Sequence, residues 1–212
     1  MTKIILFDFW GTLVETGVWS PTKQVRNILH IDMPFHDFVV RFEKAMMTQK
    51  IATLRDGFEM VFKEFDVPIN ERKMDDLIGM WNKCWMLARP YDELKEVLEE
   101  LQKEYKLVLI SNTDPLSVRN VLDKFDLQKY FSHIFLSCEL GVIKTDEEFL
   151  HKVFHELSTK ASECMLVGDS IDSDMVMAQR AKVSSLLIDR SQNRDYPDKI
   201  TTLRDLKGAL EE

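Results

Sequence analysis

Short apolar runs recur along the chain, and segments with a helical pattern separate most of them. Five runs are rich in branched or aromatic residues, and they cover about residues 3–9, 106–111, 133–137, 164–168 and 185–188. Between the last four, apolar residues return at helical spacing, and Asp114 followed by Pro115 predicts a helix start before residues 116–125. Short strands that alternate with helices predict an α/β fold with a doubly wound parallel sheet.

One long segment interrupts this alternation. Residues 15–90 show helical periodicity and no convincing strand, whereas a crossover between parallel strands needs only about a dozen residues. We therefore predict an α/β core built from residues 1–14 and 91–212, with an all-helical subdomain, which we call the cap, inserted at residues 15–90. Pro21 and Asn70 mark expected helix starts in the cap. Its many Trp and Met residues suit either a bundle core or the wall of a substrate pocket.

The composition is that of a globular protein, with 45% hydrophobic and 30% charged residues. The net charge of −8 argues against nucleic acid as the main partner, because binding the phosphate backbone requires a basic surface. Every apolar stretch is far shorter than the roughly 20 residues that span a bilayer, so we expect neither a membrane partner nor a signal peptide. Cys84, Cys138 and Cys164 form no Cys-x-x-Cys pair, and we expect reduced thiols in a cytoplasmic protein.

Candidate chemistry lies where four of the predicted strands end. In chain order these residues are Asp8, then Ser111 and Asn112, then Lys144, and finally Asp169 with Asp174. Open α/β sheets bind their ligands at the carboxyl ends of the strands, so we expect these side chains to meet. Three carboxylates crowded together would raise one another's pKa values. A divalent cation removes this conflict, and all-oxygen ligands suit Mg²⁺.

The first of these segments carries a family resemblance. The stretch from Lys3 to Leu13 contains Asp8-Phe-Trp-Gly-Thr12, and Asp-x-x-Gly-Thr resembles the first motif of the haloacid dehalogenase (HAD) superfamily. The four strand-end segments resemble the four motifs of that superfamily in their order, and the cap falls where the family inserts a helical cap. The resemblance implies a HAD-type, Rossmann-like core and hydrolase activity.

The resemblance also implies a metal site. The first Asp of motif one, here Asp8, is the covalent nucleophile of the family and, together with Asp169, would bind Mg²⁺ directly. The backbone carbonyl of Trp10 would supply a third ligand, a role that any side chain permits. Asp174 would act directly or through water, and Asp172 resembles a further acidic position of motif four.

The substrate site follows from the same resemblance. Ser111, the backbone N–H of Asn112 and Lys144 would hold the oxygens of a phosphate group. Lys144 would also screen Asp8 from the anionic substrate, and Thr12 would orient the nucleophile through a hydrogen bond. The implied partner is a small phosphorylated metabolite.

Trp10 departs from the family's phosphatases, which usually carry there the Asp that acts as general acid and base. Haloacid dehalogenases have a Tyr at this position, and an Arg from their cap clamps the substrate carboxylate, a role open here to Arg26 or Arg41. Motif four favours a phosphatase, because dehalogenases do not use Mg²⁺ and lack the paired acids. In a phosphatase a cap residue could replace the missing acid, and we considered Glu15, His36 and Asp37.

Three functional hypotheses result. The first is a Mg²⁺-dependent phosphatase that works through an aspartyl-phosphate on Asp8 and lacks the usual acid. The second is a metal-independent 2-haloacid dehalogenase, which Trp10 favours and the motif-four acids oppose. The third is a non-catalytic binding member of the fold. His151 and His155 have a metal-binding spacing, but an exposed helix face is the favoured interpretation. We expect a monomer or a homodimer.

Overall fold

The computed structural model describes residues 2–211. The strands are β1 (Ile4–Phe7), β2 (Val14–Glu15), β3 (Arg89–Pro90), β4 (Lys106–Ser111), β5 (His133–Leu136), β6 (Cys164–Gly168), β7 (Ser184–Ile188) and β8 (Lys199–Ile200). The α-helices are α1 (Pro21–Leu29), α2 (Phe35–Met47), α3 (Leu54–Glu64), α4 (Glu71–Met86), α5 (Leu94–Leu101), α6 (Ser117–Phe125), α7 (Ser137–Leu140), α8 (Glu148–Leu157), α9 (Val176–Ala181) and α10 (Leu206–Glu211). A π-helical turn covers Ile171–Met175 and leads into α9.

Six strands form one parallel sheet in the order β5-β4-β1-β6-β7-β8, so β1 lies at its centre. The predicted α/β fold with a doubly wound parallel sheet is confirmed. All five predicted runs contain strands, whereas β8 was missed because its two residues carry no apolar run.

The central strand shows why both faces of the sheet are covered. Ile5 and Phe7 pack in a cluster with residues of α5, α6 and α10 on one face. Ile4 and Leu6 pack with residues of α8 and α9 on the other. Successive side chains of a strand point to opposite faces, so an uninterrupted apolar run suits a strand that is buried on both sides.

Helices α1 to α4 belong to the predicted cap and pack around a hydrophobic cluster of their own, which includes Phe42, Phe58 and Trp81. Asn70 caps α4 by accepting from the backbone N–H of Lys73 at 3.0 Å, as its position predicted. The expectation of no strand in residues 15–90 was wrong at its margins. There β2 and β3 pair as a two-residue antiparallel ladder, too short to leave a periodic pattern. The division of the chain into a core at residues 1–14 and 91–212 and a cap at residues 15–90 stays a prediction.

Polar contacts join the cap helices to the core. Lys44 on α2 forms a 2.7 Å ion pair with Asp146, which follows β5 and α7 in the chain. The indole Nε1 of Trp81 on α4 donates to Asp114 at 2.9 Å, in the loop after β4. These contacts place α2 and α4 over the carboxyl ends of the central strands.

The cysteines are buried and free of disulfides, in agreement with the expected thiols. Burial raises the pKa values of Cys84 and Cys138 to about 12, so both thiols stay protonated near neutral pH. Within residues 2–211, no helix combines the length and the apolar character needed to cross a membrane.

Candidate active site

Asp8, Lys144 and Asp174 meet at the carboxyl end of β1. Asp8 follows β1 directly, and its backbone N–H donates to the Val167 carbonyl of β6 at 2.9 Å, which prolongs the ladder between the two strands. The ammonium of Lys144 contacts Asp8 Oδ1 and lies 2.8 Å from Asp174 Oδ1. All three residues are buried. Thr12 Oγ1 donates to Asp8 Oδ2 at 3.0 Å, which is the orienting contact expected from the sequence.

Asp169 completes a cluster of three carboxylates. Oxygens of Asp8, Asp169 and Asp174 all lie within 4.8 Å of one another. Two glycines make room for them. A Cβ on Gly11, whose φ is +75°, would lie 2.5 Å from Asp169 Oδ2, and one on Gly168 would lie 2.4 Å from Asp174. Any side chain at either glycine would therefore push a carboxylate out of the cluster.

The electrostatics of the cluster favour a bound cation. Burial, with the charge of Asp174, raises the pKa of Asp8 to about 6 although Lys144 opposes the rise. Burial, with the charges of Asp8 and Asp174, raises the pKa of Asp169 to about 7. The pKa of Lys144 is raised as well, because the two carboxylates outweigh its burial. One ammonium does not balance three carboxylates, and a hard cation such as Mg²⁺ fits this all-oxygen donor set.

A cavity of about 620 Å³ opens above the cluster, between the core and the cap. Its core side includes Asp8, Lys144 and Asp169, and its cap side includes Glu43 and Trp81. The half-buried ring of Trp10 also lines it and packs edge-on against Phe9, with centroids 4.9 Å apart. The metal-ligand role of the Trp10 carbonyl stays a prediction.

The sequence-predicted cap residues divide into two groups. Glu15 and His36 line the cavity, while Asp37 does not. Neither of the two candidate arginines reaches it: Arg41 pairs with Glu64 at 2.7 Å, and Arg26 donates to the Ile31 carbonyl at 3.2 Å. The core loop after β7 supplies a guanidinium instead, since Arg194 lines the cavity 3.6 Å from Asp169.

The two motif-two residues lie at different depths. Ser111 is fully buried and does not line the cavity; the acceptor for its hydroxyl is the Asn112 carbonyl at 3.4 Å. Asn112 lines the cavity, and its side-chain Oδ1 accepts from the backbone N–H of Lys144 at 2.9 Å. Its Nδ2 donates to Glu43 Oε2 at 2.7 Å. The substrate contacts implied for Ser111 and Asn112 stay predictions.

Sequence reasoning missed Glu43 and the contact between Asp114 and the cap. Burial raises the pKa of Glu43 to about 7, with Asn112 and Lys144 opposing the rise and Asp174 and Asp8 adding to it. The buried carboxylate of Asp114 accepts from the backbone N–H groups of residues 116 and 117, so it caps α6, and it also binds Trp81 of the cap. The Asp-Pro pattern predicted this cap, but no local signal pointed to its bond with the cap helices.

His151 and His155 are both exposed on α8, in agreement with the favoured interpretation. They line a shallow surface groove away from the carboxylate cluster. Within the part of the chain that the structure describes, the cluster of Asp8, Asp169 and Asp174 is the one group of three or more potential metal ligands. Asp172 is exposed and lines the cavity without joining that cluster.

Comparison with known proteins identifies the family. Residues 2–182 match the family of haloacid dehalogenase-like hydrolases, and the chain belongs to it. The protein is therefore an enzyme of the HAD superfamily, as the four motifs predicted. A curated relative, the glyceraldehyde 3-phosphate phosphatase of Pyrococcus abyssi, is 23% identical over 193 residues, which cover 88% of this chain and 81% of that protein.

Solved structures show the same fold. The 2-haloacid dehalogenase from Pseudomonas syringae pv. tomato DC3000 superposes with a TM-score of 0.66 at 19% identity, covering 100% of this chain and 99% of that one. A HAD-family enzyme from Bacteroides thetaiotaomicron, solved with magnesium and inorganic phosphate, has a TM-score of 0.63 at 17% identity and covers 92% of this chain and 98% of its own. At these identities the likeness concerns the fold alone.

Proposed function

We propose that the protein is a Mg²⁺-dependent phosphatase that hydrolyses a small phosphorylated metabolite through an aspartyl-phosphate on Asp8. The observation that carries the proposal is the buried cluster in which the Lys144 ammonium joins the carboxylates of Asp8 and Asp174 beside Asp169. A nucleophilic carboxylate, a fixed cation and a set of oxygen ligands are the components that phosphoryl transfer needs.

The residues of the chain suit two successive displacements. In the first, Asp8 attacks phosphorus, the bond to the leaving oxygen breaks, and the phosphoryl group is held on Asp8. In the second, water attacks the same phosphorus and the Asp8 carboxylate is regenerated. Lys144 and Thr12 hold the two carboxylate oxygens of Asp8, so the nucleophile is oriented before the substrate arrives.

The metal would be held by Asp8, Asp169 and Asp174. When bound, Mg²⁺ supplies positive charge that offsets the negative charge of the phosphoryl group and of the carboxylates. Two side chains also offset negative charge. Lys144 reduces the repulsion between Asp8 and an anionic substrate, and Arg194 adds positive charge at the cavity wall.

The substrate class is inferred from the cavity and the relatives. A volume of about 620 Å³ suits a metabolite rather than a macromolecule. The Pyrococcus abyssi relative acts on glyceraldehyde 3-phosphate, as its name states, and its modest identity supports only the general class of small phosphorylated metabolites for this chain.

A 2-haloacid dehalogenase is the second candidate, because Trp10 stands where dehalogenases have an aromatic residue. Two observations oppose it. Neither Arg26 nor Arg41 lines the cavity, so the cap offers no guanidinium from these positions for a carboxylate substrate. The paired acids Asp169 and Asp174 would also repel such an anion.

The test is hydrolysis of p-nitrophenyl phosphate by the native chain and by Asp8→Asn, each with Mg²⁺ and with a chelator. We expect turnover that requires Mg²⁺ and that disappears in Asp8→Asn, while thermal unfolding shows that the variant is folded. Absence of turnover in the native chain, on this substrate and on a panel of sugar and triose phosphates, would overturn the proposal. Chloride release from 2-chloropropionate in the presence of the chelator would establish the dehalogenase instead.

A further inference from the structure

We propose that Glu43, on the cap helix α2, is the catalytic residue that gives and takes the proton for which position 10 has no acid. The inference rests on the proposed phosphatase function and adds a residue to it. It assigns a chemical role to the cap beyond covering the substrate.

The first support is the position of Glu43. It lines the same cavity as Asp8 and Lys144 but from the opposite, cap side. The next residue, Lys44, forms the 2.7 Å ion pair with Asp146, two residues after Lys144 in the chain. This turn of α2 is therefore held next to the loop that carries the fixed cation of the site.

The second support is the hydrogen-bonded chain from Glu43 to the core. The backbone N–H of Lys144 can only donate, and it donates to Asn112 Oδ1 at 2.9 Å. This contact fixes the orientation of the amide, so Nδ2 faces Glu43 Oε2 at 2.7 Å. Oε2 is thereby an acceptor. The other oxygen of Glu43 makes no hydrogen bond among the residues that the structure describes, and it is the atom free to hold the proton.

The electrostatic surroundings agree with this role. Burial raises the pKa of Glu43 to about 7, and the groups acting on it are Asn112, Lys144, Asp174 and Asp8. The further titratable groups that line the cavity are Glu15, His36, Cys84, Tyr91, Asp114, Asp169, Asp172 and Arg194. A carboxyl group with a pKa near neutrality is present in both protonation states, as a group that is first an acid and then a base requires.

The other acids considered from the sequence fit less well. Glu15 and His36 line the cavity but are exposed, and neither forms a hydrogen bond to a residue of the four motifs. Asp37 is exposed and lies outside the cavity. Within residues 2–211, Glu43 is the cap carboxyl that both lines the cavity and bonds to a motif residue.

The proton balance is simple. As Asp8 attacks phosphorus, the bond between phosphorus and the leaving oxygen breaks, and that oxygen takes its electron pair and the Glu43 proton to become an alcohol. Glu43 is left as a carboxylate. When water attacks the phosphoryl group on Asp8, Glu43 takes a proton from the water, the bond from phosphorus to Asp8 oxygen breaks, and inorganic phosphate forms. Both groups then return to their starting states.

The experiment compares Glu43→Gln with the native enzyme in Mg²⁺ on two substrates. Glycerol 3-phosphate releases an alkoxide that needs a proton, whereas p-nitrophenyl phosphate releases a stabilised anion. We expect kcat/KM for glycerol 3-phosphate to fall about 10²–10⁴-fold, and that for p-nitrophenyl phosphate to fall much less. We also expect Glu43→Gln to release p-nitrophenol in a burst equal to the enzyme present, because the second step has lost its base.

Two further variants exclude a purely structural effect. Glu59→Gln removes a cap carboxylate on α3 that pairs with Arg55 outside the cavity, and it should leave both rates unchanged. Glu43→Asp keeps the carboxyl group and should recover part of the glycerol 3-phosphate rate. Equal losses on both substrates without a burst, or no loss at all, would overturn the role of Glu43. The phosphatase proposal would survive that result, because its own test is the Mg²⁺-dependent turnover of the native chain and the loss of that turnover in Asp8→Asn.

Discussion

The floor and the roof of the cavity are built in different ways. The floor consists of Asp8, Lys144, Asp169 and Asp174 at the strand ends of the core, and the roof consists of the cavity-facing residues of the cap helices, among them Glu43. Floor residues follow strands whose register is set by backbone ladders. The roof is positioned by side-chain contacts such as Lys44 with Asp146.

This difference assigns separate tasks to the two regions. The floor brings like charges together and holds them with backbone geometry, so it is rigid and electrostatically costly. The roof can be positioned by a few polar contacts, and relative movement is the usual expectation for such an interface. We infer that the floor determines what bond is broken, and that the roof determines which leaving group receives a proton.

The largest expected effect comes from removing the cation of the floor. In Lys144→Met, Asp8 and Asp174 lose their shared partner in a buried site. Breaking a buried ion pair in this way costs about 3–5 kcal/mol of unfolding free energy, and loss of a fixed charge at the reacting group lowers kcat by about 10²–10³-fold. Urea unfolding in a chelator and steady-state kinetics in Mg²⁺ measure the two effects.

A matched control for this variant is Lys152→Met. Lys152 is exposed on α8 and donates to the Leu140 carbonyl at 2.8 Å, outside the cavity. Its loss should change the unfolding free energy by less than about 0.5 kcal/mol and leave kcat unchanged. Similar losses in the two variants would show that the floor is no more dependent on its cation than the surface is.

The second effect concerns the metal. Saturating Mg²⁺, at about 100 times its dissociation constant, should stabilise the native chain by about 2.7 kcal/mol. Asp169→Asn should abolish this gain without lowering the stability of the metal-free protein, because the raised pKa of Asp169 shows that its ionised form is unfavourable there. Thermal unfolding with and without Mg²⁺ tests the expectation. Asp172→Asn, an exposed neighbour outside the cluster, should keep the gain.

The floor could be predicted from the sequence, whereas the place of Glu43 in the roof could not. Asp8 and Asp169 each follow a buried apolar run, so local pattern and topology together bring them to one edge of the sheet. Glu43 lies inside α2, where Phe38, Phe42 and Met46 dominate the pattern with the spacing of a packed face. That Glu43 faces the cavity depends on how the cap rests on the core, which is a tertiary property without a local signal.

The same reasoning explains the smaller misses. Asp114 was expected to cap α6, and it does so. Its additional hydrogen bond to Trp81 joins residues that are 33 positions apart. The sequence around either residue gives no indication of this contact. Ser111 ends β4 with a buried side chain, and Asn112 faces the cavity; the phosphate contacts implied for these two residues stay predictions.

The third prediction concerns the attachment of the roof. Trp81→Phe keeps an aromatic ring against Phe42 and Phe58 but removes the donor to the buried Asp114 carboxylate. Asp114 retains its hydrogen bonds to Ser117. We therefore expect the free energy of unfolding to fall by about 1–2 kcal/mol, near the lower end of the range for a hydrogen bond to a charged group. Urea unfolding measures this change.

The matched control is Trp85→Phe on the same helix. This variant loses only a 3.2 Å hydrogen bond to Asn82, so its free energy of unfolding should fall by less. An equal or larger fall would mean that the hydrogen bond to Asp114 does not attach the roof.

The last prediction separates the roof from the floor by pH. The pKa of Glu43 rises from its ordinary 4.5 to about 7 on folding, so between these values the unfolded chain loses a proton that the folded chain keeps. The native protein therefore loses stability as pH rises from about 4.5 to 7, and the loss levels off above that.

The variant Glu43→Gln has no carboxyl proton at this position. In a chelator, its unfolding free energy relative to the native chain should increase between pH 5 and pH 8, by roughly 2–3 kcal/mol. Glu59→Gln should show no comparable change. A difference between Glu43→Gln and the native chain that stays constant over this range would mean that Glu43 is ionised in the folded protein at pH 5, and it would remove the protonated roof on which the contrast with the floor depends.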